Sequence, residues 1–151
     1  MGIPSYFSYI VKSHRQILKK YKNEKINNLY LDCNSIIYDS TRSIIYEGNN
    51  IDYEIKLLNQ VCKMVESYIK QLNPTDTIFI AFDGVAPIAK LDQQRNRRYK
   101  SNYQNKILEK IKQECGKNIE SKWDTTAITP GTTFMKNLCK KIKAYFKSSK
   151  A

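Results

Sequence analysis

Thr77-Ile78-Phe79-Ile80-Ala81-Phe82-Asp83-Gly84 is an almost unbroken apolar and β-branched run that stops on an acid and then a glycine. Such a run suits a parallel strand covered on both faces, because neither face alternates with solvent. Upstream, Ile26-Asn27-Asn28-Leu29-Tyr30-Leu31 is a shorter strand-like run that also stops on a carboxylate, Asp32. Cys33-Asn34-Ser35 follow it and suit a turn or a helix cap. Between the two runs, Ile51, Ile55, Leu58, Cys62, Val65, Ile69 and Leu72 recur at steps of three and four. That spacing predicts one apolar face of a helix of about five to six turns, ended by Asn73-Pro74. A strand, a helix and a strand in series predict parallel neighbours whose carboxyl ends open on one sheet edge. Asp32 and Asp83 are therefore expected at one cleft.

Working outward, the spacing of Tyr6, Phe7, Ile10, Val11, Ile17 and Leu18 predicts a first helix over about 4–20, with Pro4 in its first turn. Residues 92–115 read as a long charged helix ending near Gly116, with Tyr99, Tyr103, Ile107, Leu108 and Ile111 as a stripe whose inner half packs. Ile128-Thr129-Pro130-Gly131-Thr132 is a turn. Phe134, Met135, Leu138, Ile142, Tyr145 and Phe146 then give a final amphipathic helix among lysines, before a short polar tail over 147–151. The expected architecture is a single α/β domain over 1–151, a mostly parallel sheet flanked by helices.

The chain has 151 residues, enough for one hydrophobic core. Lys and Arg outnumber Asp and Glu 26 to 14, a formal charge of +12. This is the footprint of a protein that meets a polyphosphate or an anionic surface, although a basic balance also serves plain solubility. The four cysteines, Cys33, Cys62, Cys115 and Cys139, form no C-x-x-C pair, and His14 is the one histidine, which argues against structural zinc. No signal-peptide core or transmembrane-length run is present, and Tyr6 breaks the myristoylation pattern. A soluble protein of the cytoplasm or nucleus, with no membrane partner, is expected.

Carboxylates at strand ends can hold Mg²⁺, a hard cation that keeps several waters when it meets phosphates, yet an aspartate there is as readily a turn residue. Lys90, Gln94, Arg97 and Arg98 fall at i, i+4, i+7 and i+8, so a helix would put them on one face. An ammonium, an amide and two guanidinium forks match a terminal phosphate, but such a face can also be merely solvated.

Met1-Gly2-Ile3-Pro4, Leu31-Asp32-Cys33-Asn34, Phe82-Asp83-Gly84-Val85-Ala86-Pro87, the Lys90 to Arg98 stretch with Gln93-Gln94-Arg95, and Ile128-Thr129-Pro130-Gly131-Thr132 occur here in order. Together they resemble the blocks of Xrn-type 5′→3′ exoribonucleases, whose fold is shared with flap-type and PIN nucleases. The resemblance implies that Asp32 and Asp83 are catalytic, metal-binding carboxylates for Mg²⁺ or Mn²⁺. It implies that Lys90, Gln94, Arg97 and Arg98 bind a 5′-monophosphate, and that the partner is single-stranded RNA. Tyr38 stands where the family usually has a histidine that stacks on the terminal base; a tyrosine can stack but cannot become an imidazolium. Ser35 and Ile88 replace a frequent glycine and a frequent basic residue.

The family's nuclease core extends further and includes a Gly-Glu-Gly-Glu-like acidic block. Glu109, Glu114, Glu120 and Asp124 do not match it. The chain is thus read as an incomplete part of a larger nuclease core, a weak nuclease or an inactive one by itself. The remaining ligands would come from elsewhere, such as a further chain that supplies the rest of the nuclease core. The alternatives are a non-catalytic module that binds RNA 5′ ends, and a general nucleic-acid binder using the lysine-rich last helix.

Overall fold

Residues 3, 5–22, 24–116 and 122–147 are described by the structure, a computed structural model of the chain. Met1, Gly2 and Pro4 of the first sequence block, Glu120, and residues 148–151 of the tail lie outside the described residues.

Helix α1 spans Tyr6–Ser13 and a 3-10 turn follows at Arg15–Ile17, so the expected helix over 4–20 is shorter and broken. His14 breaks it, adopting a non-helical backbone while its N–H bonds the carbonyl of Ile10. No residue of α1 is buried, so tertiary packing adds nothing to extend so short a helix.

Strand β1, Asn28–Asp32, and strand β2, Thr77–Ala81, form a two-stranded parallel sheet in the register Asn28 to Thr77 through Asp32 to Ala81. The expected parallel pairing is present. Leu29 is buried, and Leu31, Ile80 and Phe82 pack on the core from the same face. On the other face Tyr30 is 69% and Phe79 55% exposed, their ring centroids 6.0 Å apart. β2 was expected to be covered on both faces; one face is open, because no helix of the described residues lies over Tyr30 and Phe79.

Helix α2, Asn34–Ser43, begins directly at the end of β1 and was not foreseen as an element. It buries Ile36, Ile37 and Ser40, whose hydroxyl donates to the carbonyl of Ile36 at 2.8 Å and meets the Met64 sulfur at 3.1 Å. Helix α3, Asn50–Leu72, is the expected connector. The Asn49 side chain accepts from the amides of Ile51 and Asp52 at its start, and Asn73 takes a left-handed conformation at its end, before Pro74.

The buried face of α3 is Tyr53, Leu57, Val61, Cys62 and Val65, rotated from the expected stripe, with Ile51 and Ile55 71% and 53% exposed. The rotation follows from Tyr53, whose ring meets Trp123 at 5.4 Å and Tyr46 at 5.3 Å. Trp123 in turn packs on Phe134 at 5.1 Å. This aromatic row joins α3 to helix α5, Thr133–Lys147, which buries Phe134, Met135, Leu138 and Ile142.

Helix α4, Ile88–Glu114, has no buried residue, so the inner half of its aromatic stripe does not pack as expected. The physical reason is composition: basic and amide side chains interrupt every turn, and Tyr99 and Tyr103 have no apolar partner facing them. No helix of the described residues is long and apolar enough to cross a membrane.

Trp123→Ala removes the ring that ties α3 to α5. It should cost about 3–5 kcal/mol, read as a lowered denaturant midpoint, and should speed amide exchange over 124–132.

Candidate functional site

At the carboxyl edge of the sheet the two strands remain joined past their last ladder residues. The Cys33 N–H donates to the Ala81 carbonyl at 2.8 Å. One residue on, the Asn34 amide grips Asp83 twice: its carbonyl oxygen accepts the Asp83 N–H at 2.9 Å, and its NH₂ donates to Asp83 Oδ2 at 2.8 Å. A side-chain amide thus continues the sheet where the backbones diverge, and leaves Asp83 Oδ1 facing out. The Asp32 carboxylate is exposed and has no side-chain hydrogen bond or ion pair among the described residues. Sequence reasoning treated Asn34 as a turn or helix-capping residue within the Leu31 to Asn34 block; the signal for its role was its place two residues after the strand-end acid.

A cavity of about 240 Å³ opens beside this clamp. The first turn of α2 supplies Asn34 and Ser35 and, one turn on, Tyr38, while Asp83 closes the sheet side. Gln94, Arg97 and Arg98 come from α4. Pro87, at φ −54°, stands at the N-cap of α4 and turns the chain from Asp83 into that helix. Ile128 and Pro130 complete the wall. Their loop is anchored by Trp123, by Asp124, which accepts from the amide and hydroxyl of Thr126, and by the Thr132 hydroxyl, which donates to the carbonyls of Ala127 and Thr129. Gly131, at φ +91°, occupies the left-handed region that the turn requires.

Expected site residues are thus brought together in part. Asp83, Tyr38, Gln94, Arg97 and Arg98 share one cavity. Lys90 lies on the same helix but is not among the lining residues, being about 6 Å nearer the helix start than Gln94. Asp32 does not line the cavity either. Its Cα is level with Ala81, so it sits about two residues back from the rim that Asp83 occupies. Arg95 pairs with Asp92 at 2.9 Å, whereas Arg97 and Arg98 form no ion pair among the described residues and keep their full charge for an anion.

Both aspartates offer exposed hard-oxygen donors, Asp83 with one oxygen already oriented, and this donor set fits a divalent cation that retains waters. No group of three or more His, Cys, Asp or Glu that could hold a metal occurs among the described residues. Behind the acids, Cys33 is fully buried, and burial, then the neighbouring Asp32 charge, push its thiol up to about 11, against a backbone hydrogen bond from Ala81 that lowers it. It remains a neutral thiol at physiological pH and belongs to the packing.

An acidic strand edge is thus set against a basic helix, with an aromatic ring between them, in an α/β domain. A family model described as the XRN 5′-3′ exonuclease N-terminus matches residues 1–151, and the chain belongs to that family. It is 35% identical over 156 residues to 5′-3′ exoribonuclease 1 of Saccharomyces cerevisiae, an alignment covering 97% of this chain and 10% of that protein. To the Homo sapiens 5′-3′ exoribonuclease 1 it is 31% identical over 158 residues, covering 99% and 9%. A 5′-3′ exoribonuclease 2 of Cryptococcus neoformans is 28% identical over 184 residues, covering 95% and 16%. The chain therefore spans about a tenth of the length of the first two relatives.

Two outcomes are expected from this geometry. Asn34→Ala frees the Asp83 carboxylate and leaves its N–H to water, which should cost about 1–2 kcal/mol in stability and weaken Mn²⁺ binding several-fold in a titration followed by paramagnetic relaxation. Alkylation at pH 8 should modify the exposed Cys115 and Cys139 but spare Cys33, whose thiolate fraction there is roughly one part in a thousand. Labelling of Cys33 should rise only as the pH approaches its raised value, and mass spectrometry would report each site.

Proposed function

We propose that this chain is the amino-terminal part of a metal-dependent 5′→3′ exoribonuclease acting on single-stranded RNA that carries a 5′-monophosphate. The observation that carries this reading is the single cavity in which Asp83, Asn34, Tyr38, Gln94, Arg97 and Arg98 meet. The names of the relatives, 5′-3′ exoribonucleases, supply the reaction class.

In this reading Arg97 and Arg98 grip the terminal phosphate through paired N–H donors, and Gln94 adds an amide donor. Lys90 supplies longer-range positive charge from the same helix. Tyr38 stacks on the terminal base, which fixes the first nucleotide and favours single strands, whose bases are free to splay. With its 5′ end held there, the strand lays its next phosphodiester toward Asp83. Asp32 and Asp83 would hold Mg²⁺ or Mn²⁺, which when bound supplies an activated water and charge stabilisation for in-line hydrolysis. Asn34 holds the Asp83 carboxylate in one orientation, so that less ordering is needed when the cation arrives.

The same two acids bound the activity of the isolated chain. With no third acidic partner beside them among the described residues, cation affinity depends on substrate phosphates, which favours a 5′-end-binding role for the chain by itself. Full chemistry then needs further carboxylates from elsewhere in a longer protein or from a further chain.

The chain with Mg²⁺ is to be incubated with labelled RNA bearing a 5′-monophosphate or a 5′-hydroxyl, following both binding and mononucleotide release. Expected is little release and roughly tenfold or more tighter binding of the monophosphate RNA, lost in Arg97→Ala. Release abolished by Asp83→Ala would mean that the chain completes its own site. Equal binding of both RNAs would sink the phosphate-pocket reading.

A further inference from the structure

Arg97 and Arg98 line more than the cavity that reaches Asp83. With Tyr38 they also wall a larger cavity, about 480 Å³, between α4 and the loop after Trp123. Its sides are Ser101, Asn102 and Asn105 from the helix, and Thr125, Thr126 and Thr129 from the loop. Asn105 lies about 10 Å further along α4 than Arg98, a distance comparable to the long dimension of a nucleoside.

The chemistry changes along that distance. Two guanidinium groups with no ion pair among the described residues stand at the end shared with the smaller cavity, and hydroxyls, amides and the Asp124 carboxylate line most of the rest. The Thr129 hydroxyl is committed to the Thr126 carbonyl at 2.6 Å, and the Thr126 hydroxyl to Asp124 at 2.6 Å. The amides of Asn102 and Asn105 and the hydroxyls of Ser101 and Thr125 have no partner among the described residues. Asp124 is the acid on these walls; its hydrogen bonds to Thr126 hold its carboxyl below the ordinary range, so it stays charged. A fixed negative charge there opposes a second phosphate and suits the hydroxyls of a ribose or the amino group of a base.

We infer that this cleft is a site for a free nucleoside 5′-monophosphate, its phosphate on Arg97 and Arg98 and its nucleoside against Asn102, Asn105 and Thr125. The inference rests on the reading of the arginine pair as a phosphate pocket. A strand's terminal nucleotide takes the smaller cavity, the one of these two that Asp83 lines. One arginine pair, common to both cavities, therefore serves two ligands that exclude each other. A mononucleotide left after cleavage competes with the next 5′ end for the same guanidinium groups.

Calorimetric titration of the full chain with uridine 5′-monophosphate, uridine, inorganic phosphate and a 5′-monophosphorylated RNA oligomer tests this. The nucleotide should bind about tenfold tighter than phosphate, the gain expected of one or two added hydrogen bonds. It should displace the RNA. The double substitution of the exposed Asn102→Leu and Asn105→Leu should remove the nucleotide's advantage over phosphate while RNA still binds, and Arg97→Ala should weaken nucleotide and RNA alike. If RNA binding needs Arg97 but the nucleotide binds no tighter than phosphate, the cleft is not its site and the phosphate pocket stands. If the leucine substitutions weaken RNA as much as the nucleotide, the cleft holds a strand's end and the inference is overturned. If neither RNA nor phosphate needs Arg97, the pocket reading fails and the inference falls with it.

Discussion

The parallel pairing of β1 and β2 is the constraint on which everything functional here depends, and it is held past its natural end by one amide side chain. Strands in a parallel pair diverge when the chain turns into its helices, and acids placed beyond the last ladder bond would scatter with the loops that carry them. Asn34 prevents this by taking both the N–H and the carboxylate of Asp83. Because Asn34 is also the first residue of α2, the same contact sets where that helix begins and hence where Ser35 and Tyr38 stand. Sheet register, acid position and ring position are consequently one geometric fact.

The other side of the site is built by burial. Trp123 is almost enclosed between Tyr53 and Phe134, and the loop that follows it inherits a fixed origin. Capping by Asp124 and Thr132 then needs only short-range hydrogen bonds to shape the turn that brings Ile128 and Pro130 to the cavity. The open sheet face is the counterpart of this economy: Tyr30 and Phe79 lie against each other, and no helix among the described residues covers them. An exposed aromatic pair on a two-stranded sheet is an apolar surface that an added strand or helix could bury.

The strands, their acids and the connecting helix were legible because they depend on local pattern: short apolar runs with abrupt polar ends, a three-and-four spacing, and Asn73-Pro74 as a stop. The basic set on α4 was legible for the same reason, as a helical period. What was hidden depends on partners far along the chain. α2 carries few apolar residues, and its burial of Ile36, Ile37 and Ser40 is decided by α3. The face of α3 is turned by Tyr53 meeting Trp123, and Asn34 finds Asp83 across 49 positions. Conversely, Tyr99, Tyr103 and Leu108 have the spacing of a packed stripe, but spacing cannot supply a surface to pack against. The recessed Asp32 and the outlying Lys90 follow from strand rise and helix rise, which the motif alone does not weigh.

The lack of buried residues on α4 gives the cavity two walls of unequal stiffness. The strand-end wall is tied to the core through Leu31, Cys33 and Phe82, whereas the arginine wall rides on a long helix held by its own backbone bonds and its junction at Pro87. On the proposed reading, a strand end must order the α4 wall around its phosphate whether or not it also reaches the strand-end wall. A ligand that spans both walls meets that ordering cost once and is rewarded at each end. The cavity would on that reading select by length as well as charge, a calliper with one jaw tied to the core and the other resting on a helix that buries nothing.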